Sequence, residues 1–173
     1  VGKSFLNMPG YPLGLRNNNP GNLRTGDNWQ GMTGENKGFV VFENIAYGLR
    51  ALAIDLRTKI NNGYNTIELI IFRYAPPSEN DTLAYIDKVS NFTGLPQNRV
   101  LQPDSETLAR LMKAIIFVEI GSAFAPLITD LDINEGIDLM SGISAGKVGF
   151  GVASALLLLA LYLLATMPKM KKS

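Results

Sequence analysis

Glu119 stands at the end of a row formed by Leu108, Met112, Ile115 and Glu119, at steps of four, three and four, which places all four on one face of a helix. The surrounding run, Leu111 to Val118, is apolar on nearly every side, broken only by Lys113, and such a helix is usually central in a fold. A carboxyl group there loses water, and desolvation raises its pKa. That is the property a general acid needs in glycoside cleavage. The same position also fits a glutamate that turns to solvent at a frayed helix end. The chain contains no histidine and no cysteine. Histidine triads, thiol catalysis, disulfides and thiolate metal sites are therefore excluded, and acid–base work near neutral pH falls to a shifted carboxyl group, a lysine or a tyrosine.

A second chemically dense stretch is Gly14 to Arg24, which packs Asn17, Asn18, Asn19 and Asn22, a Pro20-Gly21 turn and two arginines into one loop. Asparagine and glycine tolerate left-handed backbone angles, and Pro-Gly favours a type II turn. Such a loop can brace its own backbone, or its amides can read a polyhydroxylated, N-acetylated ligand. Trp29 reads either as a lid on the core or as a platform for a sugar ring. Asp130, Asp132 and Asn134 have the opening spacing of a calcium loop, but Glu135 stands where glycine is needed and Ser141 where glutamate is needed, so no metal site is expected.

The elements that must position these groups follow from the chain's periodicity. Residues 1–13 read as an extended N-terminal arm, and residues 14–124 as one mainly α-helical domain. Two short strands around a turn at Thr33 to Lys37 form a small β-hairpin. A helix over Ile45 to Asn61, capped by Asn44, buries Ala46, Leu49, Ala53, Leu56 and Ile60, with Arg50, Arg57 and Lys59 on a solvated face. A helix from Asn65 buries Ile67, Ile70, Ile71 and Tyr74 and stops at Pro76-Pro77. Asp81 caps a third helix, with Tyr85, Val89 and Phe92 on one face, and Glu106 to Ile120 form the fourth. Residues 125–147 read as a flexible linker, the acidic run within it as a solvated tether. Residues 148–167 carry no charge and at 1.5 Å per residue span about 30 Å, the thickness of a bilayer's hydrocarbon core. They are expected to form one transmembrane helix, followed by a basic tail at 168–173. No signal-peptide core opens the sequence. The net charge of +1 argues against nucleic acid as a partner.

Three ordered segments carry a family resemblance. Asn44-Ile45-Ala46-Tyr47-Gly48-Leu49-Arg50-Ala51-Leu52, Tyr74-Ala75-Pro76-Pro77 and Asp81-Thr82-Leu83-Ala84-Tyr85-Ile86-Asp87-Lys88-Val89 resemble, in order and spacing, the helix-opening, turn and tyrosine motifs of the lytic transglycosylase branch of the lysozyme-like superfamily. The turn lacks the family's Asn and Gly. The family's catalytic glutamate precedes these motifs in a Glu-Ser-Gly context. Here Glu119-Ile120-Gly121 follows them, which implies a circular permutation, and the Asn-rich loop with Phe39-Val40-Val41-Phe42 also resembles lysozyme-like proteins of bacteriophage virions. The resemblance covers about Gly14 to Gly121.

It implies a lysozyme-like domain that cleaves peptidoglycan glycan strands without a cofactor. Glu119 would be the acid. Asn19, Asn22 and Arg24 would line the cleft, Tyr74 and Tyr85 would orient Glu119 or the sugar, and Trp29 and Gln30 would hold a further subsite. A hydrolytic outcome would need a second carboxylate, with Glu43, Asp55 and Asp81 left open. With the expected span at 148–167 as lipid anchor, the protein would sit in a virion membrane, or in the host inner membrane before assembly. The alternative is a non-catalytic structural protein that links viral membrane to capsid, its arm touching capsid proteins.

Overall fold

The computed structural model describes residues 2–142. Six helices and one two-stranded hairpin follow in the order α1 (Leu13–Arg16), β1 (Met32–Asn36), β2 (Phe39–Phe42), α2 (Ile45–Asn61), α3 (Ile67–Tyr74), α4 (Thr82–Thr93), α5 (Ser105–Ile120) and α6 (Asp130–Met140), with one turn of 3-10 helix at Ala125–Leu127. Helix α5 is the central element. Leu108, Leu111, Met112, Ala114 and Ile115 have no exposed surface, and the helix touches α1, α2, α4 and α6. Each such leucine or isoleucine contributes about 1.5–3 kcal/mol by leaving water, so α5 is held by packing from several directions.

Local chemistry fixes the ends of the elements. The Asn44 side chain accepts a hydrogen bond from the Tyr47 amide at the start of α2, Asp81 does the same for Ala84 in α4, and Asp104 for Thr107 in α5. Helix α3 begins one residue later than its sequence pattern implies: Thr66, not Asn65, is the cap, accepting from Leu69. The hairpin turn also lies later than expected, at Lys37 and Gly38, both at left-handed angles (φ 55° and 81°). Two consecutive left-handed residues give the turn twist that suits antiparallel strands. The hairpin joins the preceding loop through an Arg24–Phe39 bridge.

Three expectations are corrected here. The fold class was expected to combine a lysozyme-like helical domain and small hairpin with a C-terminal membrane span. The finding is a mainly helical domain with a small hairpin, and among the described residues no helix is long and apolar enough to cross a membrane. The stretch expected to span, 148–167, lies outside the described residues, as does the basic tail. Second, the expected linker at 125–147 carries helix α6. Thr129 and Asp132 form a reciprocal capping box at its start, Lys3 pairs with Asp132 at 2.7 Å, and Lys113 pairs with Asp130 at 2.7 Å. Asp130 and Asp132 sit in its first turn, at the positive end of the helix, and Ile133 and Ile137 are buried.

Third, the N-terminal arm is docked on its own domain. Phe5 is buried and lies 5.6 Å from Tyr11, ring to ring. The Ile45 amide donates to the Lys3 carbonyl at 2.9 Å, and the Phe5 amide donates to Asn18 Oδ1 at 2.8 Å. An arm with its backbone paired in this way is part of the fold.

Helices α2 and α6 approach closely at Gly136. A Cβ there would stand 2.6 Å from Leu49 Cβ and 3.0 Å from the Leu49 carbonyl carbon. Gly136→Ala gains helix propensity but forces the two helices apart, and overpacking of this kind costs about 1–3 kcal/mol. Urea denaturation should show a net loss of stability. A more stable Gly136→Ala chain would show that the α2–α6 contact is not tight in solution.

Candidate functional site

The Asn-rich loop divides its amides between two tasks. Asn17, Asn18 and Asn19 have no exposed surface. Asn18 holds the arm and the end of β2 together, receiving the Phe5 amide and donating to Ser4 Oγ (2.9 Å) and the Phe42 carbonyl (3.1 Å). Asn19 donates to the carbonyls of Leu23 and Val40, both at 2.9 Å, and accepts from the Leu23 amide at 2.9 Å. Asn17 accepts from Asn36 at 2.9 Å. Asn19 was expected in the cleft and is corrected to a brace: its side-chain oxygen and amide are both engaged by backbone. The turn closes as expected, with the Asn22 amide donating to the Asn19 carbonyl at 2.8 Å. The left-handed residue is Asn22 (φ 49°) rather than Gly21, so the type II assignment does not hold. Gly21 instead makes room for Tyr74: a Cβ would lie 2.9 Å from the phenol oxygen.

Asn22 is the amide turned toward chemistry. Its Nδ2 donates to Glu119 Oε2 at 2.8 Å. Tyr85, reaching from α4, donates its hydroxyl to Glu119 Oε1 at 2.8 Å. Glu119 is half-buried in the last turn of α5, and Gly121 closes that helix. Burial pushes the Glu119 pKa above the ordinary carboxyl range, opposed by the hydrogen bonds from Asn22 and Tyr85 and by the positive charge of Arg24. Burial and the nearby Glu119 carboxylate also push up the hydroxyls of Tyr85 and Tyr74. Both tyrosines are therefore hydrogen-bond donors at neutral pH. Tyr74, the last residue of α3, donates to the Gly21 carbonyl, which fastens the Asn-rich loop to the helical side.

Glu119 opens into a cleft of about 370 Å3. The loop and hairpin supply Asn22, Arg24, Trp29 and Phe39, and the helices and their connections supply Asp55, Lys59, Tyr74 and Glu79. Asn22, Arg24, Trp29, Tyr74 and Glu119 are thus brought together as expected. Tyr85 does not line the cleft but touches Glu119 directly. Gln30 is exposed and does not line it, so its expected subsite role is corrected. The carbonyl of its neighbour Gly31 accepts from the Glu43 amide at 2.8 Å, and that bond ties the segment to the far end of the hairpin.

Of the three open carboxylates, Asp55 lines the cleft, and Glu43 and Asp81 do not. Asp81 is occupied as the cap of α4. Lys59, expected on a solvated face, is mostly buried, paired with Asp55 one turn earlier in α2. The signal was present in the sequence: an i, i+4 Asp–Lys pair interleaved with the buried residues Leu52, Leu56 and Ile60. Glu79 and Phe39 carried no such mark and were missed. Asp55 Oδ2 and Trp29 Nε1 are buried with no hydrogen-bond partner among the described residues. No group of three or more carboxylates converges as a metal site requires, among the described residues.

The raised Glu119 pKa has a sign that can be checked. At pH below its ordinary value the group is protonated folded or unfolded and has no effect. Between the ordinary and the raised value only the folded chain keeps the proton, so stability falls as pH rises through that window. Tyr85→Phe removes a donor to the ionised form and should raise the Glu119 pKa further. Carboxyl-carbon NMR titration of wild type and Tyr85→Phe reads both values directly. A lower pKa in the variant would contradict the hydrogen bond described here.

No family model matches the sequence. Among curated proteins, Protein P5 of Pseudoalteromonas phage PM2 is similar to this chain, 41% identical over 116 residues that cover 63% of this chain and 71% of that protein.

Proposed function

The chain belongs to the family of Protein P5 of Pseudoalteromonas phage PM2, and from that premise we propose that it is a phage peptidoglycan-cleaving enzyme, acting as part of the phage particle on the host cell wall. The observation that carries this reading is the placement of Glu119: a half-buried carboxyl of raised pKa, oriented by Asn22 and Tyr85, at the wall of an open cleft with an aromatic ring, Trp29, on its lining. A raised pKa favours the protonated form that a general acid needs, and two hydrogen bonds hold the group in one orientation. The motif resemblance to lytic transglycosylases supports the choice of a β-1,4 bond between N-acetylmuramic acid and N-acetylglucosamine.

In this mechanism Glu119 gives its proton to the glycosidic oxygen as the C1–O bond breaks. Positive charge develops on the sugar ring, and the Glu119 carboxylate then takes a proton from the attacking oxygen. If that oxygen is the muramyl 6-hydroxyl, the product is an anhydro ring. If it is water, the product is a reducing end, and Asp55 is the cleft carboxylate available to assist.

A second reading is a non-catalytic component of the phage particle. Two observations favour it. The relationship is to a phage protein, which is all that this reading requires, and both Glu119 oxygens are already hydrogen-bonded, as in a carboxylate that serves structure. The arm, although docked on the domain, still exposes Leu6 and Met8, and contact with capsid proteins through it belongs to this reading.

Digestion of purified peptidoglycan by the full chain, with products read by mass, separates the readings. Wild type should release muropeptides, and Glu119→Gln should lower the rate by about 10²- to 10⁴-fold. Anhydro products identify a transglycosylase, and reducing ends a hydrolase. A folded wild-type chain that releases nothing would leave the structural reading in place.

A further inference from the structure

Arg24 and Glu79 form an ion pair, and both line the cleft that contains Glu119. They come from separate parts of the chain: Arg24 from the end of the Asn-rich loop, where it bridges to β2, and Glu79 from the connection between α3 and α4. The pair is 61% and 48% exposed, and pairs this open to water contribute little net stability. It is therefore cheap to open. The guanidinium, by contrast, is held in place from another direction. It lies 5.1 Å from the centroid of the Phe39 ring, also a cleft residue. Only its Nη2 has a hydrogen-bond partner among the described residues. A guanidinium over an aromatic ring, with most of its donor fork unused, is prepared for a carboxylate.

Resting on the reading of the cleft as a glycan site, we propose that Glu79 is a stand-in for an acidic group of the substrate. Its carboxylate occupies Arg24 in the empty cleft, and a carboxylate carried by the bound glycan displaces it. Arg24 is then the residue that selects an acidic amino-sugar polymer, with lactyl or peptide carboxylates, over a neutral one built from N-acetylglucosamine alone. Glu79 is a specificity residue that acts through Arg24. It sets the threshold for entry, because any acidic group must out-compete it.

Two consequences separate this role from a simple tie between loops. Glu79→Gln removes the competing charge and leaves the side chain's shape, so an acidic glycan should bind more tightly while a neutral one is unaffected. Arg24→Gln should erase the preference. The measurement is calorimetric binding at low ionic strength to the full chain carrying Glu119→Gln, which prevents turnover. The two probes are a muramyl-containing tetrasaccharide with free carboxylates and a neutral tetramer of N-acetylglucosamine. The added Glu79→Gln change is expected to tighten the acidic tetrasaccharide about three- to tenfold, with no change for the neutral tetramer and with the gain fading as salt screens the charges. Equal changes for both probes, or none for either, with an unchanged melting temperature, would overturn the specificity role and leave the glycan site standing. A chain that binds neither probe would overturn the site and this inference together.

Discussion

Three adjacent amides withdrawn from water, Asn17, Asn18 and Asn19, hold the functional half of the molecule together. A buried amide is costly unless its donors and acceptors are met. Those of Asn18 and Asn19 are met by backbone from the arm, from the loop itself and from β2, while Asn17 accepts from the Asn36 side chain in β1 and its Nδ2 has no partner among the described residues. Because each side chain bridges segments distant in sequence, the loop cannot shift without breaking bonds at several places. Asn22, three residues further, inherits that rigidity. Its left-handed backbone points its amide at Glu119, and Tyr74 pins the same loop from the helical side through Gly21. The orientation of one carboxyl is thus set by a brace that does no chemistry itself.

The opposite contribution comes from α5. A helix buried on nearly all sides has no freedom to turn Glu119 toward bulk water, so the carboxyl group keeps the environment that its place on the apolar stripe assigns. Burial raises its pKa, while Asn22, Tyr85 and Arg24 lower it. The balance matters for chemistry. Desolvation favours the protonated acid, and the hydrogen bonds favour its ionised form. A group that must give a proton and then take one back works best between these limits.

Much of this was legible in the amino-acid sequence because it rests on local rules. The bounds and cap of α2, the Asp81 cap and the apolar stripe ending in Glu119 depend on side-chain periodicity and short-range hydrogen bonds. What escaped depends on tertiary contact. Helix α6 has 11 residues, an acidic first turn and an internal glycine. A short helix gains little from propensity alone, and Gly136 makes sense only once it lies against Leu49 in α2. The arm looked extended because its partners, Asn18, Ile45 and Asp132, lie far along the chain. Asn19 and Asn22 could not be told apart in sequence, since nothing local says which amide a fold will turn inward.

The same distinction explains the cleft charges. Lys59 looked like a solvated lysine because it stands one turn from Asp55 on a helix where such pairs commonly face water. Position in the fold changes its meaning: buried beside Asp55 in a cleft, the pair holds one carboxylate oxygen and leaves the other unpartnered among the described residues. Arg24 and Glu79 are the converse case, an exposed pair that contributes little to stability yet lines the same cleft. In the first pair, burial makes the charges expensive to separate, so the geometry persists. In the second, solvent makes separation easy, so the contact can yield to a competing anion. One cleft thus holds a fixed carboxylate on α2 and an exchangeable one on the loop between α3 and α4, and the difference lies in how much water each can reach.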